Sequence, residues 1–114
     1  NAIWLGVEWV NQDRTKDEIK LLVDQLQSKQ IQYVFVFTSY LKEDGNFNQS
    51  YDHAGSFVRN LKKLYPEAVI LAWLGIPLMN SGEFMPGYVN LDDQATRLKI
   101  TLFSLRLVVR GLNK

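Results

Sequence analysis

The run Ala68 to Pro77, reading Ala-Val-Ile-Leu-Ala-Trp-Leu-Gly-Ile-Pro, constrains the fold more than any other stretch of the chain. It has the length of a strand, with Tyr65-Pro66 before it and a glycine and proline breaking it afterwards. Apolar residues at both parities, without alternation, suit a parallel strand covered on both sides. Two similar runs precede it, Ile3 to Val10 and Ile31 to Tyr40, and a helical pattern follows each of the three. The expected fold is therefore α/β, three βα units with a parallel sheet and right-handed crossovers. Strands are expected near residues 3–10, 33–39 and 68–74, and helices near 15–29, 50–65 and 92–110.

Length and composition bound the rest. At 114 residues, 46% of them hydrophobic, the chain fits one α/β unit with a core of its own. Thirteen basic against twelve acidic residues leave a formal charge of +1, which gives no footprint for nucleic acid. No apolar stretch approaches the roughly 20 residues of a membrane span. The lack of cysteine excludes disulfides and thiolate metal sites without fixing a compartment. Asn1-Ala2 has the look of a cleaved tag remnant, which makes the unit an expected piece of something longer.

Taken in order, the first run sets Ile3, Leu5 and Val7 on one side and Trp4, Gly6 and Glu8 on the other. Thr15-Lys16-Asp17-Glu18 has the form of a capping box, and Ile19, Leu22, Val23 and Leu26 follow at helical spacing. Tyr33-Val34-Phe35-Val36-Phe37 is dense in strand formers and runs out into Thr38-Ser39-Tyr40. Asp44-Gly45-Asn46 marks a turn, Ser50 is a cap candidate, and Ala54, Phe57, Val58, Leu61 and Leu64 make one stripe. His53, in the first turn of that helix, reads as a surface residue without a role. The longest loop, Gly75 to Val89, holds Met79, Asn80, Glu83, Phe84, Met85 and Tyr88, and a loop of that length is commonly functional. Asn90, Asp92 or Asp93 can cap the third helix.

Neither a Gly-x-Gly-x-x-Gly turn nor a phosphate-binding Gly-Lys-Ser/Thr loop is present, so no nucleotide cofactor is implied. Ligands of parallel α/β sheets meet the carboxyl ends of the strands, whether the sheet is open or closed into a barrel. Those ends supply Glu8 and Trp9, Tyr40, and Trp73, with Asn80 and Tyr88 behind them. Aromatic faces beside carboxylates, amides and hydroxyls are what a sugar needs, since its rings have apolar faces and polar rims. An oligosaccharide or polysaccharide is the expected ligand. The competing reading puts Trp4, Trp9 and Trp73 in the core and pairs Glu8 with a cation from a neighbouring loop.

The strand Val69 to Gly75, then a loop, then Val89-Asn90-Leu91-Asp92-Asp93-Gln94-Ala95-Thr96-Arg97-Leu98-Lys99-Ile100, resembles the third βα unit of chitinase-like barrels, the family 18 glycoside hydrolases and their relatives. That resemblance implies the amino-terminal part of a (β/α)8 barrel, a glycan substrate and an extracytoplasmic setting. In that family the fourth strand carries the acidic motif Asp-x-x-Asp-x-Asp-x-Glu, which is not found in this sequence. Only lining positions carry over, namely Glu8, Tyr40 and Trp73, and the chain alone is expected to be inactive. The alternative is a non-enzymatic, self-associating module that binds a glycan.

Self-association is expected from the third helix. Leu98, Leu102, Leu105, Val109 and Leu112 make one stripe, expected to cover the sheet. Ile100, Phe103 and Leu107 make another, which would be left exposed beside a free sheet edge, so a homo-oligomer through these residues or through the edge is expected.

Overall fold

A computed structural model describes residues 1–79 and 87–112, with side chains to Leu107. Three strands, β1 (Ala2–Leu5), β2 (Tyr33–Tyr40) and β3 (Val69–Gly75), form one parallel sheet in the order β1-β2-β3. Three helices, α1 (Lys16–Ser28), α2 (Ala54–Leu64) and α3 (Gln94–Leu112), alternate with them. The α/β arrangement of three βα units is the one expected. Because the strand order never reverses, right-handed crossovers wind one way and leave the helices on one face. Accordingly α1 packs against α2, and α2 against α3.

The capping box seeds α1. Thr15 Oγ1 accepts the Glu18 N–H at 3.1 Å, and the Glu18 carboxylate accepts the Thr15 N–H at 3.0 Å. At the other end Gln30 adopts φ 56°, while Ile31 N donates to Leu26 O and Gln30 N to Gln27 O. That closing pair is usually built on glycine. Between these ends Ile19, Leu22, Val23 and Leu26 are buried against Leu5, Val34, Val36, Phe57 and Leu61. This cluster is the main core.

Four expectations need correction. The first strand stops at Leu5, and Val7–Trp9 is a turn of 3-10 helix, with Val10 N on Val7 O at 2.9 Å. The turn carries Val10 round the end of the sheet into the core, where it is 2% exposed; a continued strand would have aimed it past the helices. Ser50 does not cap α2. Its hydroxyl donates to Thr38 O at 2.8 Å, and the helix begins four residues later behind His53. The strand at the centre of the sheet is β2, whereas β3 lies at an edge and is fully buried on neither face. A groove between α2 and α3, lined by Val58, Ile70, Ala72, Leu74, Ser104 and Leu107, accounts for its helix-side exposure.

The fourth correction concerns α3, which runs on through Gly111 to Leu112. Asp93 accepts the Thr96 N–H and hydroxyl at its start. Phe103 is buried and stacked on Phe47 at 4.0 Å and 5°, with Tyr51 edge-on. Ile100 and Leu107 pack into the same second core, beside Leu41, Leu74, Ile76 and Val89. The stripe expected to be exposed, Ile100, Phe103 and Leu107, thus faces inward, and Leu98, Leu102 and Leu105 face outward. Facing the folded loops and not the flat sheet, α3 had two stripes to choose from, and the stacked aromatic ring decided it.

Candidate functional site

The sheet has a second face, and among the described residues no helix covers it. Pairing sets Trp4 beside Phe35 and Leu71, and Phe37 beside Trp73, with Tyr33 and Val69 a layer below. Trp4 stacks on Phe35 at 4.2 Å and meets Trp73 edge-on at 5.3 Å; Trp73 meets Phe37 edge-on at 5.0 Å. Edge-on and offset contacts are what ring quadrupoles favour, so the four rings form one continuous aromatic surface. Trp4 is nevertheless 59% exposed and Trp73 41%. An apolar patch of this kind on a folded surface usually marks a binding face.

Two backbone devices bring polar groups to its carboxyl end. Phe37 pairs with Trp73 and Ser39 with Leu74, so Thr38 is an extra residue, bulged out of the ladder. Bulges re-aim the side chains that follow them. Here Ser39 turns to the helix side, fully buried with its hydroxyl on Asn48 O at 2.6 Å. Tyr40 consequently joins the open face. Its neighbour there is Gly75, where a β-carbon would stand 3.0 Å from Tyr40 Cβ and 3.5 Å from the Phe37 ring. No larger residue fits without displacing one of them.

The second device is the turn at Val7–Trp9, which folds Glu8 back so that its carboxylate covers Gly6, in the space a side chain would take. Gly6 has the parity of Trp4, so this carboxylate lies at the upper rim of the aromatic face. Arg14 does not pair with it. Its guanidinium goes to Glu18 at 2.8 Å, to the Glu8 carbonyl at 3.0 Å, and over the Trp9 ring at 4.6 Å. Among the described residues no hydrogen-bond or ion-pair partner holds the Glu8 carboxylate. A bound hydroxyl would find it available.

Of the residues picked from sequence, Tyr40 and Trp73 share the open face, and the Glu8 carboxylate lies over Gly6 at the end of β1. Trp9 is not among them: its ring lies on the helix side, half-buried against the core and 5.8 Å from Phe57. Tyr88 stands behind Tyr40 and donates to Leu41 O at 2.6 Å. Partial desolvation, then the nearby Tyr40, Glu43 and Asp44, lift its hydroxyl above the ordinary tyrosine range, so it stays a proton donor. Asp44 accepts the Asn46 N–H at 2.9 Å, which with Lys42 holds its carboxyl below the usual carboxylate range. Asn80, with Glu83, Phe84 and Met85, lies outside the described residues. The neck of that loop is closed by Met79 N on Val89 O and Val89 N on Pro77 O, with Gly87 against the Pro77 and Leu78 carbonyls.

Trp4, Phe35 and Phe37 were not singled out as site residues, although their alternation with Ile3, Val34 and Val36 is plain in the sequence. With apolar residues at both parities, nothing in the pattern said which face the helices would take. Among the described residues no group of three His, Cys, Asp or Glu is placed to hold a metal ion, and no helix is long and apolar enough to cross a membrane. No protein-family model, curated protein or solved structure matches the chain.

Proposed function

We propose that the open face of the sheet binds a carbohydrate, with Trp73 and Trp4 as stacking surface and Glu8, Tyr40 and Tyr88 as hydrogen-bonding rim. The observation that carries this reading is the unpartnered Glu8 carboxylate folded over Gly6, at the edge of an exposed indole surface. A sugar ring offers C–H bonds on one face and hydroxyls round its rim, and each meets its counterpart here. The resemblance to chitinase-like barrels supports the same reading, with β-1,4-linked glycans as the first ligands to test. Binding is the proposal, not hydrolysis, since glycoside cleavage needs a second catalytic group across the bond from the first.

Chitin and β-glucan oligomers titrated at millimolar concentration test it, read by tryptophan fluorescence and calorimetry. Binding is expected to shift emission from Trp4 and Trp73 and to leave Trp9 unchanged. Trp73→Ala should weaken it at least tenfold, about 1.4 kcal/mol, and Glu8→Gln by less. Absence of heat with every oligomer would end this reading.

A further inference from the structure

The Glu8 carboxylate stands where a side chain of Gly6 would stand. Gly6 is still extended, at φ -76° and ψ 174°, so it keeps the parity of Trp4 and lies about 6.6 Å further along the same side of the chain. A ring laid against the Trp4 indole therefore has a carboxylate at its upper margin. The cations of the neighbouring loops are committed elsewhere, Arg14 to Glu18 at 2.8 Å and Lys42 to Asp44 at 3.6 Å. The wider setting has the same sign. Residues 6–14, 41–53, 76–79 and 87–93, which follow the three strands, hold seven of the chain's twelve acidic residues and two of its thirteen basic ones. A chain of formal charge +1 thus turns a net negative end toward the rim of its aromatic face.

We propose that this face prefers a sugar bearing a protonated amine, a β-1,4-linked glucosamine chain, over its N-acetylated and neutral counterparts. The inference rests on the carbohydrate reading and names the member of that class. An ammonium group meets two partners here that a hydroxyl or an acetamide uses less well. The Glu8 carboxylate accepts its hydrogen bonds with opposite charge, and bonds assisted in this way are roughly twice as strong as neutral ones. The exposed indoles of Trp4 and Trp73 attract a cation through the ring quadrupole, for which tryptophan is the best of the aromatic side chains. Acetylation cancels both gains, because the nitrogen is then uncharged.

Gly6 is the positioning residue. A β-carbon there would collide with Glu8 Oε2. Its φ is one that any residue adopts, so alanine brings no backbone strain, and the flexible carboxylate is the part that moves. Gly6→Ala therefore keeps the charge and displaces it, whereas Glu8→Gln removes the charge.

The test is calorimetry with tryptophan fluorescence on three β-1,4-linked oligomers of equal length, built of glucosamine, N-acetylglucosamine and glucose. The glucosamine oligomer should bind at least about tenfold tighter than the other two, by a margin that shrinks in high salt. Glu8→Gln should abolish the margin, and Gly6→Ala should cut it severalfold at unchanged net charge. Circular dichroism checks that both variants keep the fold; Glu8 is exposed and outside the core, so its replacement stands if Gly6→Ala fails that check. A lysine oligomer is the control for the acidic field alone and should leave tryptophan emission unchanged. Equal affinity for the three sugars, or preference for the acetylated one, would overturn the amine preference and leave the carbohydrate reading standing. A margin indifferent to both variants, or an emission shift matched by the lysine oligomer, would assign the preference to bulk charge and overturn it as well. Silence from all three sugars would end both readings.

Discussion

The two faces of the sheet are built from similar residues and have opposite fates. Ile3, Leu5, Val34 and Val36 point to the helices and join the main core. One residue along in each strand, Trp4, Tyr33 and Trp73 point away and remain substantially exposed. Hydrophobicity does not separate these sets, since the exposed one is the more aromatic. Winding separates them: the two right-handed crossovers, through α1 and α2, run in one direction and place both helices on the same side, with α3 packed beside α2. Burial here is decided by topology, and an apolar parity that topology leaves uncovered becomes a surface with chemistry to offer.

The difference can be broken at its strongest point first. Leu61, fully buried between α2 and the sheet, should cost about 2–5 kcal/mol when replaced by alanine, measured by urea unfolding. On the open face Trp73→Ala forfeits two ring contacts and the partial burial of an indole that is 41% exposed, and should cost about 1–2 kcal/mol, less than Leu61→Ala. If it matched Leu61→Ala, the open face would have to be covered in solution, and the contrast between the faces would fail. Thr15→Ala, which removes the cap holding α1 on the covered face, should cost about 1 kcal/mol in the same assay.

The smallest effect is one of pH. The Thr15 N–H and the Arg14 guanidinium hold the Glu18 carboxyl below an ordinary glutamate's 4.5. A carboxyl depressed on folding stabilises the folded state above its unfolded value, and that contribution fades as pH falls through the folded one. Melting temperatures should therefore drop below about pH 4.5. Glu18→Gln, which can keep the capping geometry, should flatten that part of the profile. An unchanged profile would show that α1 is held on the covered face without this charge.

Legibility followed the locality of the cause. The capping box and stripe of α1 lie within one helix, and they were readable to the residue. β2, dense in strand formers, was readable to within one residue, ending at Tyr40 and not at Ser39. The turn at Val7–Trp9 was hidden because it depends on where Val10 must go, and Val10 is buried by helices that come later in the chain. The inward stripe of α3 depended on Phe47, more than fifty residues before Phe103. For the site, Glu8, Tyr40 and Trp73 were legible as polar or aromatic residues at strand ends. The route of Glu8 was not, since it reaches the face by folding back over a glycine, not by strand alternation. Trp4 and Phe37 were missed because their side of the sheet is defined only by what the helices leave uncovered.

The bulge at Thr38 acts on the chain as an inserted letter acts on a text read in pairs. Before it, odd-numbered residues of β2 serve the open face; after it, even-numbered ones do. Thr38 and Ser39 are thus the pair of which either can be lost with every other side chain kept on its present side. Loss of Phe37 would exchange roles instead of merely shortening the strand. Any rule that reads this strand with a fixed period of two falls out of phase there, just where the chain turns from structure to the rim of the site.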